Sequence, residues 1–143
     1  MARTDSLEVA VALHRAAIRL LRMIRVADVE TGVSPPKLSA LSVLAFGGPQ
    51  SLSGLARAEQ VTAATMSKLV SDLEADGLVA KRADRADKRG VRIEVTERGR
   101  VLMEEGRRKR LALLTARLRG LTRAERALLA DAAALMLRVA SQK

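Results

Sequence analysis

A mainly α-helical fold carrying one small β hairpin is what this sequence predicts, on three observations. Apolar residues recur at three- and four-residue spacing over most of the chain, alternation with period two is confined to residues 78–95, and hydrophobic residues make up 48% with one Phe and no Trp or Tyr. A β-rich core draws on aromatic side chains, whereas Leu, Val, Ala and Met pack well between helices. With 143 residues the chain has the size of one domain, able to bury roughly two-thirds of its unfolded surface.

Charge narrows the function classes. There are 26 basic and 16 acidic residues, a net charge of +10 and a pI near 11.3, a balance that points to a polyanionic partner. Nucleic acid fits better than an acidic membrane, because no segment joins a strongly basic face to bulky aromatics. No apolar run of about 18 residues is present to span a bilayer, and residues 1–5 lead into a helical pattern without a signal-peptide core, so the expected compartment is the cytoplasm. The absence of cysteine removes disulfides, thiolate metal sites and thiol redox sensing. One histidine, no Gly-rich phosphate loop and scattered acids speak against an enzyme, and no metal or cofactor is indicated.

The first helix, from Ser6 to about residue 30, carries Leu7, Ala10, Val11, His14, Ala17, Ile18, Leu21 and Ile24 on one face. A stripe so near a terminus is covered either by a second subunit or by the rest of its own fold. His14 lies on it and reads first as a packed or hydrogen-bonded side chain, second as a weak ligand-site candidate. Ser34, Pro35 and Pro36 mark a cap and start for a second helix through Phe46, whose Leu38, Leu41, Val43, Leu44 and Phe46 make it a core element before Gly47, Gly48 and Pro49. Ser51 opens a short third helix with Leu52, Leu55 and Ala56 inward and Arg57 outward.

Residues 61–77 form the stretch the others present. Thr62 suits the N-cap and Gly77 the left-handed stop. Met66, Leu69, Val70 and Leu73 face inward, leaving Thr65, Ser67, Lys68, Ser71 and Asp72 outward. Two short helices with a tight turn make a helix-turn-helix, in which small hydroxyls on the second can approach base edges closely. Alone, an amphipathic surface helix with no ligand explains the segment as well. Two strands of a hairpin follow, and residues 81–92 hold six bases (Lys81, Arg82, Arg85, Lys88, Arg89, Arg92) against two acids: a basic wing that can reach phosphates or the minor groove. Thr96 caps a helix to about Leu118 bearing Arg107, Arg108, Lys109 and Arg110. Thr122 with Glu125 is a capping box, opening a last helix with a stripe of Leu128, Leu129, Ala132, Leu135, Met136 and Val139. The terminal helices are expected to pair and offer a joint apolar surface to a twin subunit.

The order of elements resembles the MarR family of winged-helix transcriptional regulators over nearly the whole chain. Specificity is greatest in residues 67–96, where SKLVSDLEADGLVAKR is similar to the family's recognition helix and first wing strand and DRADKRGVRIEVTERG to its wing signature. The resemblance implies a single domain, with about 35–96 binding DNA and about 6–30 and 97–143 dimerising. It implies a homodimeric repressor on double-stranded DNA, reading a pseudo-palindromic operator in successive major grooves about 10 base pairs apart and released by a small-molecule effector. The contact positions it marks are Thr62, Ala63, Thr65, Ser67 and Lys68 of the recognition helix, Arg57 of the supporting helix, and Arg82, Arg85, Asp87, Lys88 and Arg89 of the wing. Asp87 is implied to orient the wing and Arg89 to enter the minor groove, a carboxylate on the guanidinium holding one rotamer. The competing readings are a nucleoid-type protein binding DNA by charge alone, and a winged helix that binds protein.

Overall fold

A computed structural model describes residues 5–87 and 89–142. Among these, the elements follow as α1 (Ser6–Val29), α2 (Pro35–Gly47), β1 (Gln50–Ser51), α3 (Leu52–Ala58), α4 (Ala63–Ala75), β2 (Val79–Ala83), β3 (Val91–Val95), α5 (Glu97–Leu118) and α6 (Arg123–Ala140). The sheet is antiparallel with order β1-β3-β2, and Arg82 stands opposite Arg92 in its register. The strand β1 was not expected: two residues are too few to show an alternation, and Ser51 serves at once as strand and as cap of α3.

Local signals fixed most helix starts. Thr62, Thr96 and Thr122 each accept the backbone N–H three residues on, and Glu125 closes the box at Thr122. Gly77, at φ 74°, ends α4, and the Leu78 N–H then bonds the Leu73 carbonyl at 2.9 Å, a Schellman stop. Ser34 occupies the N-cap of α2 but its hydroxyl makes no cap bond; Pro35 and Pro36 already remove two of the N–H groups that a helix start leaves unpaired.

The core is Leu41, Leu44, Leu55, Met66, Val70, Leu73 and Ile93, extended by Ala40, Ala56, Leu78, Val79 and Met103. All of it comes from α2 through the first turns of α5. Neither α1 nor α6 buries a residue, and Leu7 and Leu128 stay 68% and 69% exposed. Within one chain α1 lies along α5 rather than α6, and α6 has only grazing contact with other elements. Asp28 and Glu30 at the end of α1 pair with Arg110 (2.6 Å) and Lys109 (3.0 Å) of α5, so half of the basic cluster on α5 fastens these helices together. Phe46 is a second correction: at the last turn of α2 it is 68% exposed, since the stripe of Ala40, Leu41 and Leu44 turns away from it.

Candidate nucleic-acid interface

The turn between α3 and α4 is held by Gln60 N–H to Arg57 O (3.2 Å) and Val61 N–H to Ala56 O (3.0 Å), with Gln60 in the left-handed region at φ 56°. It sets Leu55 and Ala56 against Met66 and Val70, so the face of α4 opposite the core must look outward. Thr62, Ala63, Thr65, Ser67 and Lys68 are all exposed there, as is Arg57 on α3. The Thr62 and Thr65 hydroxyls are linked at 2.9 Å, which fixes both at the start of α4. Ser67 also lines a small groove with Leu52, Val70, Lys81, Val91 and Ile93, between α4 and the sheet.

The wing sorts its bases into two kinds. Lys81 lies 3.8 Å from Glu74, Arg82 2.8 Å from Glu94, and Arg92 3.2 Å from Asp84. Arg85 and Arg89 are exposed and have no carboxylate partner among the described residues. Lys88 lies outside the described residues. Asp87 lies in the wing loop, where its Oδ1 accepts the backbone N–H of Arg89 at 3.0 Å and its carbonyl accepts the Gly90 N–H at 2.9 Å. These bonds order the loop backbone on either side of Lys88. Asp84 was not named from the sequence, and Arg92 only as one of six wing bases; a salt bridge across a hairpin becomes visible only once the register is known.

Asp84 Oδ1 accepts the Ala86 N–H at 2.9 Å. This bond lowers the Asp84 carboxyl from its ordinary 3.8, desolvation opposes it, and Arg92 lowers it further. The folded pKa is the depressed one, so the wing contact is complete above the ordinary value and is lost as pH falls through the folded one. The Ala86 amide resonance in a pH titration should therefore hold steady down to pH 5 and move with a midpoint below 3.8; a midpoint at or above that value would refute the bond.

His14 is exposed on α1. A cleft of about 380 Å³ lies elsewhere, between α1, α2 and α5, with Arg25, Asp28, Val29, Leu38, Met103 and Arg110 among its walls. Among the described residues, no group of three His, Cys, Asp or Glu side chains could hold a metal, and no helix is long and apolar enough to cross a membrane.

A helix-turn-helix closed by a three-stranded sheet, with a projecting hairpin beside its exposed second helix, defines a winged-helix protein of the DNA-binding kind. The sequence profile of the MarR family matches residues 31–90. An HTH-type transcriptional regulator of Mycobacterium tuberculosis is 37% identical over 125 residues, 87% of each chain. A MarR family protein from Bacillus stearothermophilus has the same fold at a TM-score of 0.85, with 24% identity over 99% of both chains. So does BpsR of Bordetella bronchiseptica, at 0.66 and 24% over all of both chains. The chain belongs to the MarR family of winged helix-turn-helix transcriptional regulators.

Proposed function

We propose that the protein is a homodimeric repressor that reads a pseudo-palindromic operator, with residues 35–96 on the DNA and residues 6–30 and 97–143 forming the dimer. The observation that carries this reading is the pairing of an α4 face made of Thr62, Ala63, Thr65, Ser67 and Lys68 with a wing loop whose Arg85 and Arg89 have no carboxylate partner among the described residues. Hydroxyls and one lysine can distinguish bases in the major groove, while the two arginines reach the backbone or the adjacent minor groove. Arg57 then contacts a phosphate. Residues 35–96 hold nine basic and seven acidic residues, too even a balance for a protein that binds DNA by charge alone. The experiment is a genome-fragment selection at near-physiological salt followed by footprinting. Protected half-sites about one helical turn apart are the expected pattern; diffuse enrichment without a shared motif would replace this reading with the nucleoid one.

The unburied stripes of α1 and α6 support the dimer, since such apolar area on a lone chain marks an association surface. Leu135→Glu places a charge on this surface without touching the core. It should raise the dimer dissociation constant by at least about 100-fold and leave the thermal stability of the winged region unchanged. Sedimentation equilibrium reads the result; a wild-type particle at the 15.4 kDa of one chain would end the proposal.

The cleft between α1, α2 and α5 is the effector site in this reading, because it is walled by both the helical and the winged region. The DNA binding of BpsR is regulated by 6-hydroxynicotinic acid, which supports ligand control on this fold.

A further inference from the structure

The Asp84–Arg92 pair does more than neutralise two charges. Arg82 and Arg92 stand directly opposite on adjacent strands, a like-charge contact that destabilises a hairpin unless each guanidinium finds a carboxylate. Arg82 takes Glu94. Arg92 turns the other way: its Nε donates to Asp84 Oδ2 at 3.2 Å and its Nη1 to the Pro49 carbonyl at 3.1 Å. Pro49 belongs to the turn between α2 and β1, outside the hairpin. Asp84 in turn accepts the Ala86 N–H at 2.9 Å, and its own N–H donates to Gly90 O at 2.9 Å. One planar fork thus joins the base of the wing loop to the body of the domain, through two N–H donors whose spacing and direction the rigid guanidinium fixes.

We infer that Arg92 and Asp84 are positioning residues for DNA binding, a clamp that holds the wing loop at a fixed angle to the body so that Arg85 and Arg89 meet DNA already oriented. The inference rests on the DNA-binding reading above. A loop ordered beforehand avoids the ordering cost that a loose one meets on binding. The clamp separates cleanly from electrostatics. Asp84 is a negative charge in a DNA-facing loop, so on charge alone Asp84→Asn strengthens binding, whereas loss of the clamp weakens it.

Fluorescence anisotropy on the selected operator duplex, at several salt concentrations, tests this with Asp84→Asn, Arg92→Gln, Arg92→Lys and the Asp84→Asn/Arg92→Gln double variant. Each single variant should weaken binding by about tenfold, and the double variant no more than either alone. The salt slope should stay that of wild type, since no phosphate contact is removed. Arg92→Lys should not rescue, because the donors of an ammonium radiate from one atom on a flexible stem and do not reproduce the fixed spacing of the guanidinium Nε and Nη1. The clamp is overturned if Asp84→Asn binds as tightly as wild type or tighter, or if Arg92→Lys restores affinity while Arg92→Gln lowers the salt slope, the mark of a direct phosphate contact. In the free protein, the heteronuclear NOE of the Ala86 and Gly90 amides should fall in both Asp84→Asn and Arg92→Gln. A rigid wing in those variants would overturn the clamp whether or not DNA binds, and failure of the wild type alone to bind DNA would instead count against the functional proposal. Exposed ion pairs contribute little to stability, so the melting midpoints should remain near wild type.

Discussion

Replacing Arg89 with alanine should lower operator affinity by about 100-fold, the largest functional loss from any single surface substitution in the wing. The residue is exposed, carries a full charge with no carboxylate partner among the described residues, and its backbone N–H is anchored by Asp87 at 3.0 Å. A charge-assisted contact to DNA is worth about 1–2 kcal/mol, and the proposed two-fold dimer would make it twice, which gives the expected ~100-fold. The salt slope should drop by about two, one for each subunit. Arg82→Ala sets the contrast: its guanidinium is occupied by Glu94 at 2.8 Å, so its removal should cost no more than about fivefold. Neither change touches the core, so thermal unfolding should stay within about 0.5 kcal/mol of wild type. Unchanged affinity in Arg89→Ala, with the dimer intact, would take the wing out of the mechanism.

The largest structural effect is expected at Gly99. A Cβ added there would lie 2.2 Å from the Leu78 carbonyl oxygen and 2.7 Å from Val95 Cγ2. The oxygen is backbone, itself bonded by the Thr96 N–H at 3.0 Å, so it has nowhere to retreat. Gly99→Ala must push α5 off the end of α4, an overpacking cost of about 3 kcal/mol or more, equivalent to a fall in melting temperature of roughly 10 °C for a domain of this size. Gly106→Ala on the same helix is the control: its Cβ meets only the far end of the Arg110 side chain, at 3.3 Å, and helix propensity favours alanine. Calorimetry on the two variants decides the matter, and a Gly99→Ala protein as stable as Gly106→Ala would show that the junction yields.

What could be read from the sequence follows from the range of the forces involved. The three threonine caps and the Gly77 stop are local events within four residues, and each falls where the sequence alone places it. The inward stripe of α4 is legible for the same reason, because helical period fixes which side chains share a face. Phe46 was misplaced since hydrophobicity says nothing about which way the last turn of a helix points. The strand β1 escaped because its pairing with β3 is a matter of register across more than forty residues of chain. The six wing bases read as one class until the hairpin set two of them beside carboxylates, Glu94 and Asp84, and α4 brought Glu74 to a third. Gly99 shows a mixed case: the Thr-x-x-Gly pattern is visible in the chain, but the reason for the glycine is a carbonyl twenty-one residues earlier.

That junction has a mechanical meaning. The Thr96 hydroxyl donates to the Gly77 carbonyl at 2.6 Å and accepts the Gly99 N–H at 3.1 Å, so the end of α4 and the start of α5 share one knot and cannot tilt separately. The 22 residues of α5 make a rod about 33 Å long, gripped midway by α1 through Arg110 and Asp28. One end of the rod is therefore held at Leu78 and its middle by α1, beside the cleft at Arg110. The tight packing that leaves no room for a methyl group at Gly99 makes this joint a stiff one.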